Sequence, residues 1–433
     1  MTAPGVPSAG AVALRDRALA PDAARGAMLL LIALANVHLY LFDRPLGVRS
    51  YPAAPAGLDA VVAGVQLVLV DGRAYPLFGL LFGYGLGQLA ARRAAAGVEP
   101  AAVVRLVHRR GRWLVAIGAV HVVLLWSGDI VAAYGVLAVA LGAMVVSGTA
   151  VSLATTAVVG SVLGAGLGAF SAFSPPGTAP LPSVAVADPV AAAMERISEW
   201  AGGIVISSLI SVVGAVALGA LAARFRVLDE PAAHRRLLGR VAAVGLGTAV
   251  LTGLPLALAA VGVWRPGEGL LMLAGFLHML GGYAGGLGYA AVFGLLADPL
   301  RRRARSSEPI RREFRSSDTS VAAGTRGPDA PASRLGPVPR AGWPAPVLWA
   351  LAVCGQRSLS CYLGQSVLFV ALLPAWTLGL GARLTVAEAA LLAVGAWLVL
   401  LVAAVVSARA GYRGPAETLL RRLTYGPATR RPG

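Results

Sequence analysis

Two histidines sit alone in apolar surroundings. His121 lies in the run after Arg112, above a cationic foot of His108, Arg109, Arg110 and Arg112, and His278 lies in the run from Leu270 to Leu296. Imidazole is the side chain whose ordinary pKa lets it take up and return a proton near neutral pH. It is also the usual general base for a hydroxyl. An ionisable group in a membrane crossing costs free energy and so points to function. The competing role is structural, a ring nitrogen bonded to a carbonyl or a serine. We assign His121 as the base. His278 is a pocket residue with a stronger structural case, at a similar depth on a segment running the opposite way, so the two rings could face one cavity.

Asp22 and Arg25, three residues apart at the start of the first apolar helix, fall on one face. A guanidinium there can grip a phosphate, with the carboxylate orienting it. The same pair also serves as helix cap and topology anchor. Asn36 follows further up that helix. Asp129 stands beside Gly128 in a tight corner, where it either caps the turn at the outer surface or binds a substrate. Tyr134, Tyr362 and Gln365 lie within apolar runs as pocket or packing residues. We expect no metal site, because His38, His121 and His278 have no acidic neighbours in a ligand spacing. Cys354 and Cys361, on one expected helix, would have Cα atoms about 10 Å apart, too far for a disulfide and consistent with two buried thiols.

These residues are positioned by membrane helices. Hydrophobic residues make up 57% of the 433 and charged ones 13%, a polytopic composition rather than a soluble one. The net charge of +17 lies in segments between apolar runs, which fits orientation in a lipid bilayer and not nucleic-acid binding. All of the basic residues are arginine.

The expected fold is an all-α, polytopic integral membrane protein with about ten transmembrane helices. The crossings are at about 26–41, 75–89, 110–128, 130–146, 150–170, 204–222, 241–263, 270–296, 346–373 and 386–406. Gly57 to Val70 is too short to cross and reads as a re-entrant or interfacial piece. His121 then lies about 16 Å above Arg110, near the bilayer midplane. Gly79, Gly83 and Gly87, and again Gly160, Gly164 and Gly168, form small-residue ridges for close helix packing.

The chain divides into an N-terminal tail (1–20), eight helices (21–297) and an Arg/Ser/Pro-rich linker (298–344). A C-terminal unit (345–426) with two helices and a surface helix follows, then a short tail (427–433). With the N-terminus inside, 30 arginines fall in cytoplasmic segments and 6 in external ones, so both termini are expected in the cytoplasm.

Several blocks together resemble a known family. They are Pro21-Asp22-Ala23-Ala24-Arg25-Gly26 with Asn36, the stretch Gly118 to Tyr134, the stretch Gly355 to Ser366, and Gly414-Pro415-Ala416-Glu417 through Leu423-Thr424-Tyr425-Gly426. In this order they are similar to the YeiB-like bacterial membrane proteins that carry the domain of unknown function 418. Two departures stand out: the family's arginine after the third block's glycine is displaced to Arg357, and Cys361 replaces an Asn. The first helix is similar to that of transmembrane acyltransferases with a D-x-x-R-G start.

The resemblance implies a multi-pass protein of the bacterial inner membrane. The activity of that family is not established; the likeness of the first helix to the acyltransferases points to acyl transfer to a hydroxylated envelope or small-molecule acceptor, with acyl-coenzyme A as the candidate donor. The alternative is a transporter or flippase with an intramembrane polar pathway. In one branch of the acyltransferases a His stands where this chain has Asn36, so that base is missing here, and His38 faces another way.

Overall fold

The structure, a computed structural model, describes residues 19–306 and 345–426. Both expected tails, apart from Leu19, Ala20 and their helix, and most of the expected linker lie outside the described residues. The helices in chain order are α1 (Leu19–Val37), α2 (Gly57–Leu69), α3 (Ala74–Ala95), α4 (Pro100–Leu124), α5 (Val131–Ser147), α6 (Ala150–Ser171), α7 (Pro182–Ala185), α8 (Pro189–Glu199), α9 (Val205–Arg224), α10 (Arg235–Ala260), α11 (Glu268–Ser306), α12 (Ala345–Gly355), α13 (Ser358–Leu372), α14 (Val386–Arg409) and α15 (Pro415–Tyr425). Among the described residues there is no strand, and one isolated bridge joins Leu46 and Pro52.

The starts of these helices follow from local chemistry. Thr385 and Glu388 form a reciprocal capping box at α14, and Thr149 accepts from the Ser152 N–H at α6. Proline opens α4, α8 and α15, where its missing N–H would have had no helical partner.

Among the described residues, seven apolar helical stretches are long enough to cross a membrane: Leu19–Tyr40, Gly57–Ala95, Ala150–Ser171, Pro189–Arg224, Arg235–Ala260, Glu268–Asp298 and Val386–Arg409. The protein is therefore an all-α multi-pass membrane protein. The other expected crossings map to α4, whose arginines interrupt its apolar run, to the 17-residue α5, and to the α12–α13 pair.

Packing follows the glycine ridges. Gly79, Gly83 and Gly87 of α3 all face α9, and a methyl added at Gly83 would run into the Val216 carbonyl, while one added at Gly219 would meet the Leu80 carbonyl. Gly160, Gly164 and Gly168 likewise let α6 approach α9 and α11. Such contacts supply dispersion and close backbone approach where lipid removes most of the hydrophobic drive between helices.

The structure departs from the sequence reading in four places. The expected ninth span is two helices, broken at Gln356–Arg357, where Arg357 donates to the Tyr412 and Val353 carbonyls. The break folds Cys354 and Cys361 together, so their sulfurs lie 3.8 Å apart as buried free thiols instead of a helical pair held out of reach. Secondly, the Asp71-Gly72-Arg73 turn between the short helix α2 and α3 buries both of its charged residues. Thirdly, α11 runs on through Asp298 to Ser306, past the expected start of the linker, through Arg and Ala, which favour helix. Lastly, α4 begins at Pro100, so the arginine foot lies within the helix and His121 lies in its last turn.

Candidate active site

The end of α4 creates the site. The carbonyls of Val122 and Val123 are left without helical partners there, and the Arg196 guanidinium from α8 donates to both. Arg196 in turn lies over the Trp376 ring, 5.0 Å from its centroid. Beneath this cap the chain turns inward rather than out to the surface. Trp126, Ser127 and Asp129 are all buried, and the Trp126 ring stacks on Tyr40 at 4.2 Å.

Asp129 is thereby removed from the expected outer surface. Its Oδ2 accepts the Ala132 N–H at 2.6 Å, fixing the start of α5. Its Oδ1 lies 2.9 Å from His121 Nδ1, a close buried contact that is not aligned as a hydrogen bond. Gly118, one turn before His121, makes this possible, because a side chain there would overlap Ala132 and the Asp129 carboxylate.

The other ring nitrogen, His121 Nε2, lies 2.8 Å from the Ser366 hydroxyl oxygen on α13. A carboxylate, an imidazole and a hydroxyl thus stand in series. The carboxylate favours a proton on Nδ1, which leaves Nε2 as the base toward Ser366. Tyr362, one turn earlier on α13, places its ring 5.2 Å from that of His121.

Ser366 opens onto a small cavity of about 10 Å³, room for one water, whose walls include Asn36, Tyr40, Trp126, Tyr362 and Gln365. Asn36 accepts the Tyr75 hydroxyl at 2.9 Å and donates to the Ile32 carbonyl. Gln365 donates to the Leu29 carbonyl, joining α13 to α1. The indole N–H of Trp126 is buried without a protein partner.

Six of the expected residues therefore converge on one region: His121, Asp129, Tyr362, Gln365, Asn36 and, packed on Phe78 and Phe82 close by, Tyr134 with its buried hydroxyl. Asp22, Arg25 and His278 do not join them. Asp22 and Arg25 pair at 2.8 Å near the other end of α1, about 16 Å of helix rise below Asn36, with Arg25 also donating to the Leu81 carbonyl. His278 lies in a second cluster. Its ring contacts Arg73 at 2.9 Å and Asp71 at 3.6 Å, while Arg49 grips Asp71 through two donors. The two histidines therefore do not line one cavity. Tyr75, two residues after Arg73, donates to Asn36 at the cavity by Ser366. Among the described residues no group of three or more His, Cys, Asp or Glu side chains is placed to hold a metal.

The sequence reading missed Ser366, although Tyr362, Gln365 and Ser366 have the spacing of one helix face and the signal was available. It also missed Arg49, Asp71 and Arg73. Arg49 sits in a loop far in sequence from its partner, and no local pattern marks such a pairing.

The family described as "Protein of unknown function (DUF418)" matches residues 222–312 and 335–427. The C-terminal part of the chain belongs to DUF418. No curated protein and no solved structure matches the chain.

The DUF418 part supplies the helix that carries Ser366, whereas His121 and Asp129 come from the half that precedes it. Within the DUF418 part, Glu417 of α15 accepts the Leu359 and Ser360 N–H groups and the Ser360 hydroxyl. A carboxylate there satisfies the first turn of α13 and favours its positive end. Helix α15 thus fixes the start of α13, and with it the height of Ser366 opposite His121.

Proposed function

We propose that this protein is an acyltransferase of the bacterial inner membrane, with ten crossings and both termini in the cytoplasm. It moves an acyl group from acyl-coenzyme A to a hydroxylated envelope or small-molecule acceptor. The observation that carries this reading is the buried series Asp129, His121, Ser366 at the edge of a cavity. His121 is the base, held by Asp129, and Asn36, Tyr134, Tyr362 and Gln365 form the polar surroundings of the substrate. Asp22 and Arg25 are proposed to meet the donor's phosphates at the cytoplasmic end of α1, where a partly exposed guanidinium is oriented by its carboxylate.

The test is transfer of a radiolabelled acyl group by purified protein without any ion gradient. His121→Asn should reduce it by about 10²- to 10⁴-fold, the usual cost of a lost general base. A purely structural histidine would lose only a membrane hydrogen bond, on average about 0.6 kcal/mol.

A second reading, a transporter, is supported by the buried Asp71, Arg73 and His278 with the half-buried Arg49 beside them, since charged groups inside a membrane often line a pathway. Uptake of an unaltered solute into vesicles, without acyl transfer, would favour it.

A further inference from the structure

The geometry points to Ser366 as a nucleophile that carries the acyl group covalently between donor and acceptor. This rests on the acyl-transfer reading and adds a step to it. A histidine that deprotonates the acceptor directly needs no protein hydroxyl at its Nε2, yet Ser366 Oγ occupies that position at 2.8 Å. Nearly every other polar group around it is committed elsewhere. Gln365 is held by Leu29 and Asn36 by Ile32 and Tyr75, and one Asp129 oxygen is held by Ala132. Ser366 has otherwise only a long 3.4 Å bond to the carbonyl one turn back, so it is anchored weakly except by the base. It also lines the cavity, together with Trp126 and Tyr362.

The chemistry balances with an acyl thioester as donor and a hydroxyl compound as acceptor. Ser366 Oγ bonds to the thioester carbonyl carbon as His121 Nε2 takes its proton. The tetrahedral species collapses with loss of the carbon–sulfur bond, and the proton passes from His121 to the departing sulfur. In the second half the acceptor hydroxyl gives its proton to Nε2 and bonds to the acyl carbon. Ser366 then leaves and recovers that proton.

The experiment treats purified full-length protein in detergent with an alkyl fluorophosphonate, which reacts with activated serines, and locates the adduct by peptide mass spectrometry. We expect modification of Ser366, none in Ser366→Ala, and labelling at least about 10²-fold slower in His121→Asn. Ser366→Cys, nearly isosteric, guards against misfolding of the alanine variant and should alkylate with iodoacetamide faster when His121 is present. Absence of a Ser366 adduct in the wild type, or a cysteine indifferent to His121, overturns the nucleophile. Parallel assays with radiolabelled acetyl-coenzyme A separate the two levels. If Ser366→Ala transfers acyl groups within about twofold of wild type while His121→Asn does not, transfer is direct and only the covalent step falls. If Ser366 is labelled but thioester-dependent transfer is absent from the wild type, the acyltransferase reading falls and the activated serine stands.

Discussion

Asp129 and His121 are eight residues apart, on either side of the end of α4, and their side chains meet at 2.9 Å in a fully buried pocket. The carboxylate has two tasks at once, since its second oxygen holds the Ala132 N–H. The tasks can be separated by substitution. Asp129→Asn keeps an acceptor for Ala132 but removes the charge facing the imidazole, so activity should fall by up to about 10⁴-fold with little change in melting temperature. Asp129→Ala loses the backbone bond as well and should cost roughly 1 kcal/mol of stability on top. Activity and thermal unfolding measured side by side check this, and an active Asp129→Asn protein would remove the carboxylate from the mechanism.

Arg25→Ala should behave differently. Its proposed role is to hold the donor and not to move the proton, so the donor concentration for half-maximal rate should rise while the saturating rate falls less. Asp22→Asn, which leaves the guanidinium in place but loosens its 2.8 Å partner, should show the same pattern more weakly. Equal loss at saturating and limiting donor would count against a carrier-binding role.

Gly83→Ala should destabilise the protein by about 1–3 kcal/mol, because the new methyl meets the Val216 carbonyl across the α3–α9 contact. Gly166→Ala on α6 meets nothing within 4 Å and should be neutral or stabilising by up to about 1 kcal/mol, since alanine favours helix. Comparing the melting temperatures of the two variants decides whether close approach, and not glycine content, governs the packing.

Orientation is testable directly. A reporter inserted within residues 298–344 should be cytoplasmic and one within 175–190 external, as the arginine distribution requires. An external 298–344 segment would reverse the proposed topology and move Asp22 and Arg25 away from a cytoplasmic donor.

The sequence by itself determined the helical membrane class, the positions of most helices and the glycine ridges, because apolar length and four-residue spacing are local properties of the chain. It marked His121, Asp129, Tyr362 and Gln365 one by one. The tertiary structure decided which of them meet. Asp129 reads as a surface turn until the inward path of residues 125–130, made possible by Gly118, brings it to His121. Ser366 reads as one hydroxyl on an apolar helix until α13, with its start held by Glu417, sets it against Nε2. The break at Gln356–Arg357, which joins the two cysteines, depends on a carbonyl acceptor 55 residues away in sequence. In each case the deciding contact lies between segments that neither composition nor periodicity connects, and a buried polar group takes its meaning from the partner that satisfies it.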